Sequence, residues 1–320
     1  MKRTLLCFVL LIVVLLIIVL LVLGTGYAQP RSVSRPKITG IDHVAFYTTS
    51  PDANYRLYST VLGIGTAEPI ESGETQRFVI GRQWVGYSPA PDSTATDRMD
   101  HVAFATDDCE ALRNYLQSKG VKIPESVEQL KNGNRSFTFK DPEGHRIEFV
   151  EFPKGRSHLL VAPHAEQGGK SGPVSRRLIH AGFIVQNREA EDHFYKDILG
   201  FHLYWQGGMQ PDRTDWVAMQ VPDGTDWLEY MLGVKADPDL QLTGVMNHIS
   251  LGVTDIKAAQ AKVESRGWKA NDREHAQMGK DGKWQLNIYD PDLTRIELME
   301  FKPAQKPCCS EFQGPHPQGP

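Results

Sequence analysis

The sequence predicts an α+β fold of two domains, each built from two β-α-β-β-β units whose strands curve around a cup. Three observations predict it. Four short apolar segments carry a histidine near their start: Asp42-His43-Val44-Ala45-Phe46, Asp100-His101-Val102-Ala103-Phe104, Ile179-His180-Ala181-Gly182-Phe183 and Asn247-His248-Ile249-Ser250-Leu251. Residues 140–152 (KDPEGHRIEFVEF) and 289–301 (YDPDLTRIELMEF) share Asp-Pro, Arg-Ile-Glu and Glu-Phe at matching places, and each closes one half. After every histidine segment comes an amphipathic stretch that stops at a glycine, then β-rich runs. Self-similarity at a fixed spacing marks a duplicated architecture.

The elements follow in order. Lys2 and Arg3 precede an unbroken apolar run from Leu5 to Leu23, and Gly26-Tyr27-Ala28 offers small residues where a signal peptidase reads. A run of 19 residues is longer than the ~7–15 of a signal-peptide core and close to the ~20 that cross a bilayer, so residues 1–28 are expected to be either a signal peptide or a membrane anchor. In both cases the basic residues ahead of the run place the folded part outside the cytoplasm: exported to a periplasmic or extracellular space, or anchored through residues 5–23. Residues 1–37 are then dispensable for folding.

The first helix is expected over Ala53 to Leu62 before Gly63 and the third over Glu189 to Leu199 before Gly200. The second and fourth end near Gly120 and Gly267. Strands are expected at Arg77 to Tyr87, Ser136 to Lys140, Trp216 to Val221 and Trp284 to Tyr289. The domains span 38–152 and 178–302. Residues 153–177, rich in Pro, Gly, Ser and mixed charge, read as a linker, and the proline-rich 303–320 as a disordered tail. A net charge of -4 supplies no surface for a phosphate backbone and excludes a nucleic-acid role. Cys7, Cys109, Cys308 and Cys309 match neither a disulfide framework nor a paired-cysteine zinc spacing.

The chemistry lies in the repeat. Side chains alternate faces along a strand, so Leu178, His180, Gly182 and Ile184 are expected on one face, with Ile179, Ala181, Phe183 and Val185 on the other. In the closing strand Glu297 shares a face with Arg295, Met299 and Phe301, while Glu300 points the opposite way. Glu229 follows His180 by 49 residues, and Glu297 follows His248 by the same 49. Packed around one cup, His180, Glu229, His248 and Glu297 present nitrogen and oxygen ligands to a divalent first-row metal such as Zn, Ni, Co, Fe or Mn. Open coordination positions would polarise an oxygen of a small-molecule substrate. The first half offers His43, His101 and Glu148 in the matching places, but Gly86 stands where the second half has Glu229.

The strand-leading histidines, Phe194-Tyr195…Leu199-Gly200 and Asp290-Pro291…Arg295-Ile296-Glu297 resemble the vicinal oxygen chelate superfamily, which includes glyoxalase I, extradiol dioxygenases and antibiotic-resistance proteins. The resemblance covers nearly all of 38–302. It implies glyoxalase-like domains, and the second half looks most like glyoxalase I, whose metal is held by residues matching His180, Glu229, His248 and Glu297. By that resemblance the enzyme is a lyase or isomerase working through a metal-stabilised enediolate, with Glu297 as principal base and Glu229 its counterpart across the metal. Ile184 and Leu232 replace the arginine and asparagine of the glutathione-using members, which argues against that thiol. The alternatives are an extradiol-type dioxygenase using His180, His248 and Glu297, although Asn287 stands where its tyrosine belongs, and a non-enzymatic drug binder walled by Trp205, Trp216, Trp227 and Trp284.

Overall fold

The computed structural model describes residues 34–69, 73–153, 172–271 and 274–319. The expected export segment and most of the linker lie outside them; among the described residues no helix is long and apolar enough to cross a membrane. The first half runs β1 (Ile38–Thr48), helix α1 (Pro51–Tyr55, continuing more loosely wound as Arg56–Val61), β2 (Gly65–Ala67), β3 (Gln76–Ile80), β4 (Gln83–Pro89), β5 (Met99–Thr106), α2 (Cys109–Ser118), β6 (Glu128–Gln129), β7 (Arg135–Lys140) and β8 (Arg146–Glu151). The second runs β9 (Leu178–Ile184), α3 (Arg188–Glu191, continuing as Asp192–Ile198), β10 (His202–Gly207), β11 (Trp216–Gln220), β12 (Trp227–Met231), α4 (Leu240–Met246), β13 (His248–Val253), α5 (Ile256–Ser265), β14 (Gln277–Met278), β15 (Trp284–Tyr289) and β16 (Arg295–Glu300). The unit of strand, helix and three strands recurs four times, with α4 inserted before the last. The expected run Arg77 to Tyr87 is a hairpin of β3 and β4, because Gly81 at φ 64° turns the chain between them.

Local chemistry sets the helix ends. Asp108, Asn187, Asp239 and Asp255 accept the backbone N–H of Ala111, Ala190, Leu242 and Ala258, caps worth about 1 kcal/mol each. Gly63, Gly120, Gly200 and Gly267 follow four helices at positive φ, where a side chain would strain the backbone. Glu151 accepts the N–H of Cys109 and Glu300 that of Ile256, so the outward glutamates of β8 and β16 tie down α2 and α5.

Each half forms one eight-stranded sheet, ordered β2-β3-β4-β1-β5-β8-β7-β6 and β10-β11-β12-β9-β13-β16-β15-β14. Non-cup sheet faces and helices from both halves share one apolar core, where Phe104 meets Phe201 edge-on at 5.4 Å and Phe139 meets Phe194 at 5.9 Å. Reciprocal clasps bind the halves. Glu143, on the β7–β8 turn, accepts the N–H of Gln186 and Asn187 ahead of α3. Asp292, on the β15–β16 turn, accepts the hydroxyls of Thr48 and Thr49 ahead of α1.

The tail differs from its expectation. Residues 303–319 carry no helix or strand, yet Phe312 packs on Tyr204 at 4.8 Å and His316 lies 2.6 Å from the Tyr204 hydroxyl. Trp205 donates to the carbonyl of Cys308, which is disulfide-linked to Cys309. Aromatic residues and backbone carbonyls meet partners left open by β10, so the segment needs no periodicity of its own to be held.

Candidate metal centres

The ligand positions sit on the four central strands of each sheet, and a β-bulge aims them. In the β1–β5 ladder the pairing steps from Ile41 to His43, leaving Asp42 as the extra residue; in the β9–β13 ladder it steps from Leu178 to His180, leaving Ile179. A bulge breaks strict alternation. Leu178 therefore joins Ala181 and Phe183 in the shared core, while Ile179 lies among the cup-side aromatics, contrary to the simple alternation expected for this strand. The parity expected for β16 is met: Met299 and Phe301 lie on the cup side with Glu297, and Glu300 faces α5.

Both centres assemble. In the first half His43 Nε2 lies 2.9 Å from His101 Nε2, and Glu148 Oε2 is 3.2 and 3.3 Å from the two. In the second, His180 Nε2 lies 3.0 Å from His248 Nε2, with Glu297 Oε2 3.3 Å from His180. Glu229 Oε2 stands across from it, 3.3 Å from His248 and 3.7 Å from His180. His248 reaches its place because Gly182 has no side chain, since a Cβ there would meet the imidazole at 2.2 Å. At Gly86 a Cβ would meet the Trp84 ring at 2.6 Å and Glu74 Oε1 at 3.0 Å, so the first half has filled the space that Glu229 uses. Glu74 is held there by a two-pronged pair with Arg77, which stacks on Trp84.

The hydrogen bonds fix which nitrogens face inward. His43 Nδ1 is 2.7 Å from Asp42, His101 Nδ1 3.0 Å from Asp100, and His248 Nδ1 2.7 Å from the carbonyl of Met246. Each partner is an acceptor, so Nδ1 carries the proton and the Nε2 lone pair faces the centre. Converging buried lone pairs and a carboxylate are a donor set for a divalent cation, and two nitrogens with one or two carboxylate oxygens suit a first-row metal. The residues present fit the expected cofactor.

The electrostatics of the centres diverge. Burial opposes charge on both partners of the first centre, yet the bonds to Asp100 and Glu148 hold the His101 pKa above its ordinary value and those from His101 and His43 hold Glu148 well below. In the second centre burial, reinforced by Arg295, pushes His248 down to about 3 and His180 well below the ordinary range. Burial also raises Glu297 and pushes Glu229 up to about 7. Arg295 adds to the lowering of the histidines and opposes the rise of the two carboxylates: its Nη2 lies 2.8 Å from His248 Nε2, inside the centre. Its counterpart Arg146 turns outward to Asp100, and the second half has Asn247 in place of that aspartate.

A cavity of about 380 Å³ opens on the second centre, walled by Trp216, Trp227, Tyr204 and Phe312, with Glu229, Glu297 and Arg295 among its lining. Trp284, expected as a wall, packs instead against the shared core. Lys283, fully buried, lies 4.6 Å from the centre of the Trp227 ring and 5.3 Å from that of Phe312, and burial lowers its pKa to about 8. Reasoning from the sequence missed Lys283 and the tail's Phe312, for which there was no periodic signal. It also missed Asp42 and Asp100, although both stand directly before a ligand histidine.

Fold and site together define a class: paired β-α-β-β-β modules whose central strands present histidines and carboxylates to a metal. The chain belongs to the Glyoxalase/Bleomycin resistance protein/Dioxygenase superfamily, whose profile matches residues 40–149 and 177–298. The metallothiol transferase FosB of Shouchella clausii is 29% identical over 121 residues, 35% of this chain and 79% of that protein. Homoprotocatechuate 2,3-dioxygenase from Arthrobacter globiformis superposes with a TM-score of 0.62 at 17% identity, over 86% of this chain and 84% of that one. A Mn(II)-bound glyoxalase from Novosphingobium aromaticivorans superposes with 0.58 at 16% identity, over 83% of each. These structural likenesses establish the fold. Divalent-metal use is common ground between the two histidine-carboxylate centres and the relatives described as metal-dependent.

Proposed function

We propose that the second half is a divalent-metal-dependent, glyoxalase-like active site for a small oxygenated substrate with a flat apolar body and an anionic group. The observation that carries this is the pair Glu229 and Glu297 flanking His180 and His248 at the floor of an aromatic cavity. A bound metal would act as a Lewis acid toward a substrate oxygen. The chain's own residues supply the rest. Glu297 is placed to take and return a proton beside the reacting carbon, and Glu229 across the histidines is its counterpart. Trp216, Trp227 and Phe312 exclude water from a planar substrate, and Arg295 on the cavity wall offers positive charge to its anionic group. Export of the folded part, inferred from Leu5 to Leu23, belongs to the same proposal.

A ring-cleaving dioxygenase is the second reading, favoured by the compactness of His180, His248 and Glu297, whose ligand atoms lie within 4.8 Å of one another. The test is a metal analysis followed by assays on hemithioacetals, thiols and catechols with Glu297→Gln and Glu300→Gln. Turnover of a hemithioacetal that Glu297→Gln abolishes and Glu300→Gln keeps supports the glyoxalase reading. Oxygen consumption with catechols transfers it to the dioxygenase, and a metal-free protein that binds planar drugs makes it a sequestering protein.

A further inference from the structure

A third cluster lies away from both cups, where the first clasp closes. Asp141 and His145 stand on the β7–β8 turn of the first half, and Glu191 is on α3 of the second. One ligand atom from each lies within 4.8 Å of the others. Asp141 Oδ1 accepts the N–H of Glu143, Gly144 and His145, which fixes the carboxylate. Its Oδ2 lies 2.8 Å from His145 Nδ1 and accepts the Tyr195 hydroxyl at 3.1 Å. Glu191 has 0% exposure; Oε1 takes the N–H of Glu143 at 3.1 Å, and Oε2 is buried without a hydrogen-bond partner. The imidazole of His145 stacks on Phe183 at 3.9 Å, which sets its plane, and its side chain keeps 22% exposure, a way in for an ion.

The pseudo-symmetric clasp is a control within the same molecule. There the donor to Asp290 Oδ2, at 2.9 Å, is Tyr87 of β4, which matches Tyr230 rather than Tyr195, and the positions matching Glu191 and His145 are the neutral Asn54 and Thr294. The fold closes that clasp without a carboxylate at the helix position or an imidazole on the turn. We propose that Asp141, His145 and Glu191 form a third divalent-metal site, one that takes a zinc-like ion and pins the two halves together. Two carboxylates balance the charge of such an ion and a neutral imidazole completes a one-nitrogen, two-oxygen set.

The test is a zinc titration of the metal-stripped full chain, with thermal unfolding alongside. In a His101→Ala/His248→Ala background, which disables both cups, one zinc ion per chain should still bind and raise the Tm. Adding Glu191→Gln should remove that ion and the Tm response. His145→Asn, at a partly exposed position, should weaken binding at least tenfold and guards against misfolding of the first variant. If the double-cup variant takes up no zinc, or if His145→Asn leaves its affinity unchanged, the site does not exist. Neither result bears on catalysis in the second cup.

Discussion

The two cups share a backbone plan and differ in what surrounds the same three ligands. In the first, the bulged residue is Asp42, and it orients His43; in the second the bulged residue is Ile179, and His180 Nδ1 has no hydrogen-bond partner. In the first, Asp100 both orients His101 and draws Arg146 out of the centre; in the second, Asn247 does neither and Arg295 turns inward. Both histidines of the first cup are thus oriented by aspartates, and its open face is filled by Glu74, Arg77 and Trp84. The second gives up that support for a second carboxylate, Glu229, the buried Lys283, the inward Arg295 and a cavity. A duplicated fold has set two centres apart through the residues next to the shared histidines and glutamate rather than through those three themselves.

The largest expected effect that separates the centres is on metal affinity. Asp42→Ala should weaken metal binding in the first half by about 10–100-fold, the usual cost of losing a histidine's orienting partner, while leaving the second half unchanged. Isothermal titration of the stripped protein measures it, and equal losses at both centres would dissolve the contrast.

A smaller effect separates the clasps. Burial pushes the Asp290 carboxyl up to about 7. Its folded pKa lies above its unfolded value, so its contribution is fully present below about pH 4 and is lost as pH rises towards 7, at no more than about 1.4 kcal/mol per pH unit. Asp290→Asn should flatten this part of the stability profile, as read by urea unfolding in chelator at pH 5 and 7. An unchanged slope would show that the charge is tolerated there.

The smallest concerns the turns that carry the clasps. Leu293 has φ 68°, where its repeat partner is Gly144 at φ 98°. Leu293→Gly should stabilise the chain by about 1 kcal/mol, the scale of the left-handed penalty for a side chain, whereas Gly144→Leu should destabilise it. Denaturant midpoints of both variants decide the matter.

Most of the plan was legible in the sequence because it is periodic. Strand-leading histidines in phase, the 49-residue offsets and the repeated closing strand marked the units, their order and the seven residues that converge at the two centres. What was not legible is relational. Nothing in the residue order says that Asp42 would be squeezed out as a bulge and meet His43, or that Arg295 would fold inward for want of an aspartate one strand away. Glu191 reads as an ordinary helix glutamate until Asp141 and His145 arrive from the other half. The tail misled for the opposite reason: it has no pattern, but it is held by groups that β10 leaves unsatisfied.

The reciprocal clasps also bear on how the chain acquires its shape. Thr48 bonds to Asp292 across 244 positions of chain, and the shared core takes side chains from both halves. Contacts so far apart in sequence form late and slowly. The first half, once synthesised, therefore waits with its inner face bare until the second arrives, and unfolding should take both halves in one transition despite their repeated design.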